Sequence, residues 1–234
     1  DGFNGNGYLE IKPIPELTGR VNGGVEIAHY AIGKYLPRST YQGGIDGGVA
    51  SAADFASTRQ LFDGTLTYNK TFNDVHALTV LGGYAYEKTY YSFRSFSVSG
   101  FSTDLYGFNN MDAASTITSS NYYKQESILI SFFGRLNYSY NDKYLLTFTL
   151  RRDGSSRFGA NHRWGSFPSG AFAWRLDRED FIRNLNLFSN LKFRLGYGQT
   201  GNDQIGNYAA YALMATTRLT FDGNTNTAGS HLNQ

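Results

Sequence analysis

Five separate stretches of this chain switch, residue by residue, between greasy and polar positions. In "KYLLTFTL" the positions Tyr144, Leu146, Phe148 and Leu150 share one side of an extended backbone, and Leu145, Thr147, Thr149 and Arg151 share the other. The same reading places Phe62, Leu66, Tyr68 and Phe72 opposite Asp63, Thr65, Thr67 and Asn69. Leu78, Val80, Tyr84 and Tyr86 form a third greasy set, and Phe132, Leu136, Tyr138 and Tyr140 a fourth. In the fifth, Leu191, Phe193, Leu195 and Tyr197 oppose Lys192, Arg194, Gly196 and Gly198. Successive side chains leave a pleated strand in opposite directions, so a period of two marks strands whose faces meet different surroundings.

The chemistry of the two sides separates the possible folds. A soluble sandwich has an aliphatic inner face and a charged outer one. Here the greasy sides end in tyrosine, and the opposite sides mix glycine, hydroxyl and charged residues. That is the arrangement of a membrane barrel, with an outward band edged by aromatics around a wet interior. The expectation is an all-β, antiparallel transmembrane β-barrel segment of about nine strands, near 5–13, 18–34, 59–72, 75–97, 127–141, 143–154, 164–176, 190–201 and 207–221. Short joints at Pro13 to Leu17, Asn73-Asp74 and Asn141-Asp142 alternate with longer polar stretches, Gly33 to Ser57, Ser99 to Lys124 and Ser155 to Arg163. Bacterial outer-membrane barrels pair short periplasmic turns with long outer loops. "DREDFIRNLNLFS", Asp177 to Ser189, breaks the alternation and reads as a periplasmic linker with one helical turn.

Composition removes other classes. Lys and Arg number 21 against 19 Asp and Glu, so no strong field of one sign points to nucleic acid. Absence of cysteine rules out disulfides and thiolate sites. No stretch nears the ~18 consecutive apolar residues of a spanning helix, and "DGFNGNGYLE" lacks the basic and apolar regions of a secretory leader.

At "RRDGSSRFG", Arg151 to Gly159, "WGSFPS", Trp164 to Ser169, and "GQTGN", Gly198 to Asn202, the chain closely resembles the barrel of SusC/RagA-like TonB-dependent outer-membrane transporters. The likeness runs from about Leu61 to Tyr208, and more loosely back to Tyr8. It implies that residues 1–234 are an interior part of a 22-stranded barrel whose plug and TonB-contacting segment lie elsewhere. It also implies import of glycans or peptides across the bacterial outer membrane, a SusD-like surface lipoprotein as lid, and TonB acting through the plug. No enzymatic activity and no cofactor are expected. Read from the residues alone, two alternatives stay open: a self-closed outer-membrane pore or adhesin, and a soluble carbohydrate-binding β-sandwich.

Candidate contact residues follow. Tyr144, Leu146, Phe148, Leu150, Leu191, Phe193 and Leu195 are expected to face lipid. Arg151, Arg152, Asp153 and Arg157 cluster about one hairpin, where Asp153 is expected to pair with an arginine, outward arginines to meet lipopolysaccharide phosphates and inward ones to line the substrate route. Tyr90 and Phe93, with Tyr91 and Phe96, are expected to rise above the membrane as lumen aromatics suited to sugar rings. "GYGQTG", Gly196 to Gly201, matches G-x-G-x-x-G, with Asp222 downstream, but neither a buried strand nor a helix is expected around it. "GGIDGGVAS", Gly43 to Ser51, lacks the Lys-Ser/Thr of a phosphate loop. His29, His76, His162 and His231 are too scattered for a metal.

Overall fold

A computed structural model describes residues 1–185 and 187–209 in full, and the backbone of 213–221 and 224–233. Eight strands follow one another in a single antiparallel meander. They are β1 (Gly2–Ile14), β2 (Leu17–Leu36), β3 (Val49–Phe72), β4 (His76–Phe101), β5 (Ala114–Tyr140), β6 (Tyr144–Ser155), β7 (Trp164–Arg175) and β8 (Lys192–Gly198). β9 (Leu213–Phe221) and β10 (Asn224–Asn233) pair in a separate ribbon, and Asp222 and Gln234 fall outside the described residues.

The turn end of the sheet is tight. Asn73, Asp74, Asn141 and Asp142 have φ of 48°, 57°, 50° and 53°. Two consecutive left-handed residues match the right-handed twist of the strands they join, and Asn and Asp tolerate that backbone better than other side chains. At the same end the expected linker turn is present as a 3₁₀ turn at Leu176–Arg178 and helix α2 (Asp180–Arg183). Glu179 fastens it to the sheet: its carboxylate accepts from Tyr144 Oη at 2.8 Å, Trp174 Nε1 at 3.1 Å and Lys143 Nζ at 3.1 Å. Those donors, Tyr144 first, hold the carboxyl below its ordinary range. The lowered value makes the clamp complete above the usual carboxylate pKa and lost as pH falls through the folded-state value.

The loop end corrects two expectations. About half of Gly33 to Ser57 and of Ser99 to Lys124 is strand, because β3, β4 and β5 run for 24, 26 and 27 residues. The connections shrink to 37–48, with helix α1 (Tyr41–Ile45), and 102–113. Backbone ladders continue there although neither side is consistently apolar, as in Ala52↔Phe96 and Ser97↔Ser119. These extensions carry the buried apolar side chains found among the described residues, Ala50, Val98 and Phe101, with Tyr35 edge-on to Phe101 at 5.3 Å. Gly47, Gly48 and Gly100 have φ of 69°, 85° and 81°. Only such backbone lets the Phe101 N–H reach the Gly47 carbonyl at 2.7 Å. Tyr35 Oη and Arg38 Nε then meet Asp104 at 2.6 and 3.2 Å, tying the second connection to the first.

Candidate functional site

Directly paired residues of an antiparallel sheet share a face, so the register sorts every position. One row reads Tyr68, Val80, Leu136, Phe148, Gly170 and Tyr197. The next towards the turns reads Leu78, Tyr138, Leu146, Phe172 and Leu195. Among the described residues nothing covers this face: Leu146, Phe148, Phe193 and Leu195 are 47%, 48%, 50% and 65% exposed. Soluble monomers seldom leave an apolar area this large in water, and a sandwich would bury it.

Aromatics bracket the apolar rows. At the turn end His76, Tyr140, Tyr144 and Trp174 stand side by side, with ring centroids 5.0, 6.3 and 6.1 Å apart. Towards the loops Tyr84, Phe132 and Trp164 repeat the motif at 5.2 and 6.1 Å, and Arg152 lies 5.5 Å over Trp164. Phe132 and Tyr140 stand eight residues apart on β5. That is about 26 Å of strand, or about 20 Å of height at the usual barrel tilt of ~40°. Of the residues expected on this side, Tyr144, Leu146, Phe148, Leu150, Phe193 and Leu195 are there. Leu191 immediately precedes β8, and its carbonyl accepts the Asp177 N–H at 3.0 Å.

The opposite face is bound by polar cross-strand contacts. Arg59 donates to Glu87 at 2.8 Å, Asn22 to Asp63 at 2.6 Å and Thr147 to Asn137 at 2.9 Å. Arg151 belongs here, donating to Asp153 at 2.8 Å and to the buried Ser131 hydroxyl at 2.9 Å. The expected pairing of Asp153 with an arginine is present. Arg152, one residue on, points to the apolar side. Arg157 lies on neither face. It reaches Asn207 Oδ1 at 2.9 Å and the Asp203 carbonyl at 3.1 Å. The Gln199 N–H meets the Pro168 carbonyl at 3.0 Å, and a Cβ at Gly201 would collide with the Phe167 ring. The three motifs singled out in the sequence thus form one knot at the loop end. No helix follows Gly201 among the described residues up to 209, so the dinucleotide fingerprint lacks its context.

Higher on the polar face lies a feature only partly foreseen. Tyr30, Phe55, Phe93 and Tyr123 are consecutive register partners across β2 to β5, their rings 6.0, 4.8 and 5.2 Å apart. The flanking register rows are Ala28, Ser57, Tyr91, Gln125 and Ile32, Ala53, Ser95, Asn121. Neither contains a charge. Phe93 and Tyr91 lie on this polar face; Tyr90 and Phe96 do not. Even-numbered positions of β4 share the side of Tyr84 and Tyr86, so Tyr90 and Phe96 sit on the apolar side of the sheet. Tyr30, Phe55 and Tyr123 went unnoticed in the sequence, the last two because they lie in stretches read as loops. Among the described residues no group of three acidic or imidazole side chains is placed to hold a metal ion. His76 instead hydrogen-bonds Tyr138 Oη at 2.7 Å, and the His231 side chain lies outside the described residues.

No protein-family model matches the chain. A TonB-dependent receptor of Formosa agariphila is 36% identical over 212 residues, covering 91% of this chain and 21% of the relative. The TonB-dependent receptor SusC of Bacteroides thetaiotaomicron is 52% identical over 89 residues, covering 38% of this chain and 9% of SusC. The solved RagAB peptide transporter superposes with a TM-score of 0.84 at 28% identity, covering 98% of this chain and 25% of the transporter chain. The chain belongs to the SusC/RagA-like TonB-dependent receptors. It spans about a fifth of the length of the curated TonB-dependent receptor it matches over most of its residues. The outward face of a barrel wall meets lipid instead of a second protein layer, which accounts for how exposed the apolar rows of this sheet are. The β-sandwich alternative is set aside by this fold.

Proposed function

We propose that residues 1–234 form part of the wall of a 22-stranded outer-membrane importer whose plug lies elsewhere in the protein. The reading rests chiefly on one observation: an uncovered apolar face edged by two aromatic rows backs onto a polar face laced with ion pairs and amides. In this arrangement hydrocarbon meets the first face and water the second. The short turns face the periplasm, where TonB engages the plug region. The long strands carry the loops outward to a SusD-like lipoprotein lid. Tyr41, Ile45, Leu105 and Tyr106, exposed by 88%, 64%, 76% and 53% on the tethered loops, suit that contact.

The cargo is a glycan or a peptide. The inner row of Tyr30, Phe55, Phe93 and Tyr123 supports a glycan, because flat rings among uncharged amides and hydroxyls match the apolar faces and hydroxyl rims of sugars. Charged peptide termini find no charged partner in the two register rows that flank it.

Two measurements on the full-length protein test this function. It should sediment with outer membranes and migrate as a heat-modifiable barrel, and deleting its gene should abolish growth on at least one oligosaccharide or peptide as sole source. Recovery in the aqueous extract without detergent would contradict it.

A further inference from the structure

Above the apolar rows, the same face of the sheet turns basic. Arg152 stands at the loop-side aromatic row, beside Trp164. Farther up, Lys124 and Arg94 flank one tyrosine, with Lys124 Nζ 5.8 Å and the Arg94 guanidinium 5.3 Å from the Tyr122 ring. None of these three cations makes an ion pair among the described residues. Lys88, on the same face, is paired with Glu126 at 3.0 Å. Asp54 is the register partner of Arg94 and lies 3.9 Å from His29. At the turn end the comparable outward cation, Lys70, is paired with Glu16 at 3.5 Å. The two edges of the apolar band therefore differ: unpaired positive charge lies on the loop side.

Two adjoining hollows open between these groups. One, about 230 Å³, is lined by Thr58, Tyr90, Ser92 and Lys124. The other, about 240 Å³, is lined by His29, Asp54, Ser92 and Arg94. Lys124 lies eight residues beyond Phe132 on β5, about 20 Å above the aromatic row by the same rise and tilt. That height is beyond hydrocarbon and beyond simple phospholipid headgroups. It is the level of the sugar core of a glycolipid.

We propose that Arg152, Lys124 and Arg94 hold lipopolysaccharide of the outer leaflet, Arg152 at its lowest phosphate and the other two at anionic groups of its core. The proposal rests on the assignment of the apolar face to lipid. Arginine and lysine recognise phosphate by charge-assisted hydrogen bonds. Tyr90 and Tyr122 supply rings for the sugars between those anions. Asp54 borders the Arg94 hollow and sets its limit, because a second anion is repelled there.

The test uses the full-length protein purified in mild detergent, with bound lipopolysaccharide counted by native mass spectrometry. The variant R94Q/K124Q/R152Q should retain at least five-fold less lipopolysaccharide per barrel while remaining heat-modifiable. Added to stripped protein, whole lipopolysaccharide should rebind and be lost on R94Q/K124Q, whereas lipid A without its core should depend on Arg152 alone. Unchanged retention in the triple variant overturns the proposal. So does rebinding that inorganic phosphate displaces equally from wild type and variant, or a change in oligomeric state with no change in lipid, which would mark a contact between copies. Should the triple variant fail to assemble, the three single variants are compared, and equal retention in all of them overturns it. Failure of the underlying lipid assignment shows separately, as a protein that stays soluble before any lipid is added.

Discussion

Phe148→Lys is expected to cost the folded barrel about 2–4 kcal/mol in a lipid bilayer, the range for a cation at the midplane of a lipid-facing strand. Phe148 stands midway between the two aromatic rows, with Leu136 on one side and Gly170 on the other, and is 48% exposed. Its neighbour Thr147 points the other way and donates to Asn137. Thr147→Lys should therefore cost only about 1 kcal/mol, the worth of the lost hydrogen bond, because the ammonium reaches water. Urea unfolding of the full-length protein in vesicles, followed by tryptophan fluorescence, measures both. Equal costs would mean that the two faces do not meet different media.

The second large effect concerns cargo. If the cargo is the glycan proposed above, removing Phe93 and Tyr123 together should weaken its binding about thirty-fold, or about 2 kcal/mol, as expected for two aromatic anchors of one contact surface. Folding should change little, since the row lies on an open face and not in a buried core. Tyr90→Ala, on the opposite face, should leave cargo affinity unchanged. Binding isotherms of the full-length protein with the sugars that support its growth decide the matter. A loss confined to peptide ligands would transfer the row to peptide cargo, and no loss for either class would remove its role in binding.

The turn-side half of the sheet was legible because a period of two is written in Leu146, Phe148, Phe193 and Leu195, which the register puts on one exposed face. The turns were legible for a local reason, the left-handed backbone that Asn73-Asp74 and Asn141-Asp142 accept. The long extensions of β3, β4 and β5 were not, because neither of their faces is consistently apolar and only the backbone ladder, which is nearly indifferent to side chains, continues. Phe55 and Tyr123 disappeared into supposed loops for that reason. Counting outward from Asn73-Asp74 would have paired Phe55 with Phe93, whereas the Phe93–Tyr123 pair joins strands linked through the 102–113 connection, where no tight turn sets the register. The same counting corrects Tyr90 and Phe96, whose even parity with Tyr84 puts them outside. Arg157 could not have been placed, because its partners at Asp203 and Asn207 are joined to it only by tertiary folding.

The most direct measurement is a cysteine scan from 144 to 151, which the absence of native cysteine makes clean within this chain. Each site is spin-labelled in the full-length protein in bilayers and probed with oxygen, which partitions into lipid, and with a water-soluble nickel complex. Sites 144, 146, 148 and 150 should respond to oxygen, and 145, 147, 149 and 151 to nickel, in strict alternation. Uniform nickel access along the strand, or uniform protection from both probes, would contradict a wall with lipid on one side and water on the other.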